Sequence, residues 1–347
     1  MKIGYDSIKL WLRIGLFFYF AKIRVLGRKH IPKGKPIMLL ANHQNALMDA
    51  LMIAINSGLK PHFLARSDLF KNGFVSRFLS YIQMMPIYRI RDGIGTLKNN
   101  PEIFDKCGSL LIQGETVMLF PEGDHGIQRR VRKPMRSGFV KMILKALEEQ
   151  PDLDIRILPV GLNYKKAENF PDKVSMIIGK DLSVQEFYDP NDLEGTAANL
   201  KEAAYRSLVK LTTHIPEKPT YENIISQLEQ KSVNYLDPIT INELIVNLDP
   251  NEKVGAKLQK KSFYQILFQS IFQLINFPIL LIWNMGVKPL GKEIEFRTTL
   301  RFVTSLMLFP IFYMVTFIVL LYTVGQVFAL TFFLAHVLFN LGYVKFG

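Results

Sequence analysis

An α/β domain carried between an N-terminal interfacial helix and a C-terminal helical membrane module is the fold class this sequence predicts, and three observations predict it. Between about residues 30 and 180 short apolar runs alternate with amphipathic stretches, as strands do when they are interleaved with helices. The segment 302–322 (FVTSLMLFPIFYMVTFIVLLY) has the length a bilayer core demands and carries no charge. Near the N-terminus, basic residues are set among aromatic ones, the composition of a helix lying in a membrane surface.

The N-terminal element comes first. Residues 8–26 place Lys9, Arg13, Lys22 and Arg24 among Trp11, Phe17, Phe18, Tyr19 and Phe20, which predicts an interfacial helix within residues 1–28. The apolar stretch is short, has basic residues on both flanks and is followed by no small-x-small cleavage site, so a secretory signal is not expected. An α/β domain is expected over 29–215, with strands at 36–41, 62–65, 117–120, 157–162 and 174–178 and helices at 45–56, 101–113, 137–149 and 192–213. From Pro216 the composition turns polar and charged, which predicts a helical or loosely ordered linker over 216–261.

Residues 262–347 hold three apolar stretches, 263–286, 302–322 and 327–344. Lys257, Lys260 and Lys261 precede the first, and Lys288, Lys292, Arg297 and Arg301 follow it, so both of its flanks are expected on the cytoplasmic side. Gln265, Gln269 and Gln273 share one helical face and Pro278 interrupts the stretch, which favours a re-entrant or interfacial helix. The other two stretches would then form a spanning hairpin that returns Lys345 to the cytoplasm; three full spans are the alternative.

Composition narrows the partners. Lys and Arg total 43 against 30 Asp and Glu, a formal charge of +13 that suits nucleic acid or anionic lipid. The basic residues flank apolar membrane segments and no base-stacking motif accompanies them, so the lipid bilayer is the expected partner and nucleic acid is not. Cys107 is the only cysteine, which excludes an intrachain disulfide and a cysteine-built zinc site. No HExxH or Cys/His spacing marks a metal site, and no metal or cofactor is expected. The absence of G-x-S-x-G, Walker A and G-x-G-x-x-G patterns argues against a serine lipase, a P-loop NTPase and a dinucleotide enzyme.

The residues suited to chemistry cluster after strands. Asn42-His43-Gln44-Asn45-Ala46-Leu47-Met48-Asp49 follows the strand at 36–41, placing His43 in a strand-to-helix turn. A histidine there can take a proton from an alcohol, and a carboxylate such as Asp49 can fix its tautomer. Phe120-Pro121-Glu122-Gly123 follows another strand and leads into Arg129, Arg130, Arg132, Lys133 and Arg136. Glycine permits close approach of backbone to a ligand, and the cations suit phosphate. Pro86-Ile87-Tyr88-Arg89 and the strand ILPVGLNY (157–164) complete the set.

These blocks, in this order, resemble the glycerophospholipid (lysophosphatidate) acyltransferase family, whose signature is an Asn-His block with a downstream Asp, a Pro-Ile-x-x-Arg-like block, a Phe-Pro-Glu-Gly block and a Pro-Val-Gly-like strand. The resemblance covers roughly residues 25–180. It implies an acyltransferase-type mixed sheet flanked by helices, and sequential acyl transfer from acyl-CoA or acyl carrier protein to a lysophospholipid hydroxyl, foremost that of 1-acyl-glycerol-3-phosphate, in phospholipid biosynthesis. It further implies His43 as general base oriented by Asp49, with Arg89, Glu122, Gly123 and Arg136 holding the acceptor.

Two departures qualify the match. Five residues separate His43 from Asp49 where the family has four, and Asp124-His125 stands where a cation usually follows Glu-Gly. Asp49 has a competing role in stabilising the first turn of its helix, and the basic run after Glu122 is either a phosphate contact or a solvated loop facing headgroups. Glycerol 3-phosphate and lyso-aminolipids are alternative acceptors, and a non-catalytic lipid-binding membrane scaffold is the alternative of another class.

Overall fold

In the computed structural model, residues 2–89, 94–216, 220–252, 254, 262–291 and 293–346 are described. Lys257, Lys260, Lys261 and Lys292, which entered the charge argument, lie outside them. Eight strands form one mixed sheet: β1 (Phe20–Leu26), β2 (Ile37–Ala41), β3 (His62–Arg66), β4 (Met84–Ile87), β5 (Thr116–Leu119), β6 (Arg156–Tyr164), β7 (Asp172–Ile178) and the short β8 (Leu182–Ser183). The order is β1-β7-β6-β2-β5-β3-β4, with β8 paired to β6. Strands β6, β2, β5, β3 and β4 run parallel, so their C-terminal ends share one edge of the sheet. β7 runs antiparallel to β6 and β1 parallel to β7, so these two begin at that same edge.

The central strands are apolar on both faces, as a sheet covered on both sides requires. Along β2, Leu39 and Ala41 enter one core with Met48, Met52 and Ile53 of α2 (Ala46–Asn56), while Met38 and Leu40 enter the other. That second core is closed by α4 (Asn100–Ile112), α5 (Gly138–Glu149) and α6 (Leu193–Leu211), through Leu111, Phe139, Ile143 and Leu200 among others. The amphipathic α3 (Gly73–Tyr81), capped by the Asn72 side chain, joins β3 to β4.

Two boundaries differ from expectation. The N-terminal helix α1 (Lys2–Tyr19) stops at Tyr19, and residues 20–26, read as a continuation of the interfacial helix, form edge strand β1. FAKIRVL alternates polar and apolar residues, so strand pairing buries Phe20 and leaves the basic side chains at the sheet rim. Nor is the segment after 216 merely a linker, because α7 (Tyr221–Gln230) and α8 (Pro238–Val246) bury Ile224, Leu228, Ile241 and Ile245 in a satellite core with Ile215 and Tyr235. Ser175 on β7 donates to the Leu236 carbonyl, and Asn242 donates to the carbonyls of Val209 and Thr212, so this helical pair is fastened to the domain.

The C-terminal residues form α9 (Phe263–Ile275), α10 (Phe277–Leu281) with the short helical turns that extend it to Leu290, α11 (Ile294–Thr323) and α12 (Gln326–Phe346). Helices α11 and α12 are each long and apolar enough to cross a membrane. Between α9 and the segment 277–290 the chain bends by 88° at Asn276, where Pro278 removes a backbone donor. The bend is fixed from within: Asn276 and Asn340 exchange amide hydrogen bonds of 2.8 and 3.0 Å, and Asn340 also donates to Tyr313 Oη at 2.7 Å. Polar side chains among such apolar helices are tolerated when they satisfy one another in this way.

Candidate active site

The edge formed by the C-terminal ends of the parallel strands gathers the chemistry. Asn42 prolongs β2 as a backbone mimic, its amide donating to the Leu162 carbonyl at 3.0 Å and accepting from the Leu162 N–H at 2.7 Å. That clamp sends the next residue, His43, out of the sheet plane. Its imidazole stacks on Phe120, with ring centroids 3.8 Å apart and an interplanar angle of 4°. Nδ1 of His43 lies 2.9 Å from Oδ2 of Asp49. Because a carboxylate accepts, the proton belongs on Nδ1, which leaves Nε2 with a free lone pair.

Asp49 is wholly buried and its carboxylate is fully engaged. Oδ2 also takes the Asn45 N–H at 2.7 Å, and Oδ1 takes the Tyr164 hydroxyl at 2.7 Å. Position 49 reaches His43 despite the longer spacing because the turn absorbs the additional residue, with Ala46 held at φ 42°, a left-handed value uncommon for a residue with a side chain. The helix-turn role of Asp49 and its contact with His43 are satisfied by the same carboxylate.

Glu122 is buried at 6% exposure. Its Oε1 accepts the His43 N–H at 2.9 Å and its Oε2 accepts the Arg132 N–H at 3.0 Å. It therefore braces the histidine turn against the basic loop. Burial pushes its carboxyl up from 4.5 to about 7, against the pull of those two N–H groups. Gly123 has φ 71°, and a Cβ there would lie 2.7 Å from Cγ of Arg136, so glycine lets the exposed Arg136 side chain lie across the loop. Arg136 is anchored by its own N–H, which donates to the Pro121 carbonyl at 2.8 Å. Arg89 is half-buried just beyond the end of β4, on the same edge of the sheet.

The basic run divides by role. Arg129 is spent on structure: it donates to the carbonyls of Tyr164 at 3.0 Å and Lys165 at 2.7 Å and stacks on the Tyr235 ring at 3.4 Å. Lys133 pairs with Glu202 at 3.0 Å and lies over Tyr205. His125, in the pair that stands where the family resemblance leads one to expect a cation, packs edge-on against His43 with centroids 5.4 Å apart. Burial, and then the neighbouring His43, hold its pKa below the ordinary value.

Sequence reasoning did not assign Asn42, Phe120, Tyr164 or Thr298 to this site. Tyr164 ends the ILPVGLNY strand, and its hydroxyl could have been looked for beside a buried carboxylate. Thr298, in the first turns of α11, donates to the Ala167 carbonyl at 2.8 Å, and Asn45 donates to the same carbonyl at 3.1 Å. Helix α11 is thus one hydrogen-bonded step from the histidine turn. Arg301 donates to the Glu168 carbonyl, and Lys345 at the end of α12 donates to the carbonyls of Phe17 and Phe20, so α1, α11 and α12 meet this edge of the sheet together.

Residues 22–163, from β1 to the penultimate residue of β6, match the family model described as Acyltransferase. Over this domain, under half of its length, the chain is similar to the acyltransferase family. An uncharacterized acyltransferase of Schizosaccharomyces pombe is 25% identical over 122 residues, which are 34% of this chain and 18% of the fungal protein, so the match spans under a fifth of that relative. Among solved structures, the 1-acyl-sn-glycerophosphate (LPA) acyltransferase PlsC from Thermotoga maritima aligns with a TM-score of 0.41 and 19% identity, over 59% of this chain and 79% of that one. The matched segment contains His43, Asp49, Arg89, Glu122, Gly123 and Arg136.

Proposed function

We propose that this acyltransferase moves a fatty acyl group from acyl-CoA or acyl carrier protein onto the hydroxyl of a lysophospholipid, 1-acyl-glycerol-3-phosphate foremost, at the cytoplasmic face of a membrane. The observation that carries this reading is the His43 imidazole held at Nδ1 by a buried, fully hydrogen-bonded Asp49. Such an imidazole presents Nε2 as a base and gains stability as it becomes cationic. His43 takes the proton of the acceptor hydroxyl as its oxygen attacks the thioester carbonyl. The tetrahedral intermediate then expels the thiolate, which recovers the proton from His43. No bond to the enzyme forms.

Arg89 and Arg136, spread along the same edge, are assigned to the acceptor phosphate, with Gly123 allowing close backbone approach. Glu122 acts by holding the His43 turn. The acceptor hydroxyl of a lysolipid sits at the membrane surface, and the entry of α11 and α12 beside the catalytic edge suits that depth. The basic residues Lys288, Arg297, Arg301 and Lys345 favour the cytoplasmic side.

The test is acyl transfer by detergent-purified full-length protein to a panel of lysolipids and glycerol 3-phosphate, with both donor types, alongside His43→Ala. Transfer abolished in the variant supports the reading and names the acceptor. A folded parent protein that transfers to none of them would favour a lipid-binding scaffold instead.

A further inference from the structure

His125 presents a buried imidazole without a hydrogen bond among the described residues. Its side chain is 10% exposed, yet among the described residues neither ring nitrogen has a hydrogen-bond partner. Leaving such a group without a hydrogen bond costs stability, so its surroundings call for a ligand. What faces it are two carboxylates from the entrance of the first membrane helix: Oε2 of Glu293 is 3.6 Å from Nε2, and one donor atom each from His125, Glu293 and Glu295 lie within 4.8 Å of one another. Carboxylates at the start of α11 are favoured by the helix dipole. That accounts for neither the buried imidazole facing them nor its two ring nitrogens without a hydrogen bond.

We propose that His125, Glu293 and Glu295 bind a divalent metal ion, zinc or a similar first-row cation, that clamps the loop after β5 to the first membrane helix. One neutral imidazole nitrogen and two carboxylates make a donor set suited to zinc, with solvent completing the coordination, and the two negative charges balance the ion. Sequence spacing could not reveal this trio, because its members come from a loop and a helix far apart in the chain. The clamp acts close to the site already described: Gly126, the next residue, donates its N–H to the His43 carbonyl at 3.1 Å, and Phe296 packs edge-on against His125. A bound ion would therefore hold the membrane module and the histidine turn in fixed register.

The test is binding, not activity. Tag-free full-length protein in detergent is stripped with a chelator and dialysed against Zn²⁺; protein-bound zinc is then counted by elemental analysis, and thermal unfolding is followed with and without the ion. The parent should hold one equivalent and melt at a higher temperature with zinc. His125→Ala and the double variant Glu293→Gln/Glu295→Gln should each lose both the equivalent and the shift. The glutamine variant keeps side-chain volume, and Glu293 is 59% exposed, so it remains informative if His125→Ala fails to fold. A parent that binds no zinc, or retention of the equivalent by either variant, would overturn the proposal.

Discussion

The Tyr164 hydroxyl donates to Oδ1 of Asp49 at 2.7 Å while Oδ2 of the same carboxylate holds Nδ1 of His43 at 2.9 Å. The last residue of β6 thus sets the orientation of a carboxylate on α2, which in turn sets the imidazole. Burial, and then the neighbouring Asp49, push the Tyr164 hydroxyl well above the ordinary tyrosine range, so it remains a donor. A hydrogen bond to a charged group is worth about 1.5–3 kcal/mol. Tyr164→Phe should lower kcat for acyl transfer roughly tenfold to a hundredfold with KM little changed. Asp49→Asn should cost about 10²–10⁴, because an amide no longer stabilises the cationic imidazole. Steady-state kinetics on the identified acceptor separate the two, and an unchanged kcat in Tyr164→Phe would remove it from the positioning chain.

Glu122 predicts a pH dependence of stability. Its carboxyl is raised from 4.5 to about 7 in the fold, so between those values the folded state holds a proton that the unfolded chain has released. Stability from this group is therefore full below about 4.5 and is lost as pH rises towards 7. Asp172, raised by burial from 3.8 to about 6, contributes with the same sign over a lower window. Glu122→Gln removes only the first contribution. Melting temperatures measured from pH 4 to 8, on the order of the window set by those pKa values, should show a gap between parent and variant that changes across it. A gap constant with pH would refute the raised carboxyl.

Much of this architecture is legible in the sequence, and what is hidden has physical reasons. The strands at 37–41, 62–66, 116–119, 156–164 and 172–178 stand out because a sheet covered on both faces needs apolar runs. β4 is hidden by its brevity and by Pro86, and β1 by its alternation, which is shared by an amphipathic surface segment. α7 and α8 look like linker because a satellite helix buries only one narrow face. His43, Glu122 and Gly123 are marked by their motifs. The partners that fix them are not, since Tyr164 meets Asp49 and Thr298 meets Ala167 only after folding brings distant segments together.

The structural use of Arg129 gives a further prediction. Its guanidinium serves two carbonyls at the end of β6 and the face of Tyr235, while its backbone N–H donates to the Tyr221 hydroxyl at 2.8 Å. Arg129→Met should destabilise the protein by about 2–4 kcal/mol, from two charge-assisted hydrogen bonds and one cation–π contact. Arg129→Lys should recover little, since an ammonium cannot fork to two carbonyls while lying flat on a ring. Denaturant unfolding of both variants checks this; a lysine variant as stable as the parent would return Arg129 to the pool of cations available to phosphate.

The junction between the His43 turn and α11 can be tested at one atom. Thr298 Oγ1 and Asn45 Nδ2 both donate to the Ala167 carbonyl, at 2.8 and 3.1 Å, and Thr298 is buried at 1% exposure. Thr298→Val keeps the shape of the side chain and removes one of these donors. The carbonyl keeps the Asn45 bond, so the stability loss should stay near 1 kcal/mol. The loosened junction lets the His43 turn shift relative to α11, and misplacement of reacting groups by about an ångström is worth up to 10² in rate. The expected outcome is a fall in kcat that exceeds what the small stability loss explains, with Thr298→Ser restoring it. Equal activity in the valine and serine variants would mean that α11 anchors the domain to the membrane without positioning its chemistry.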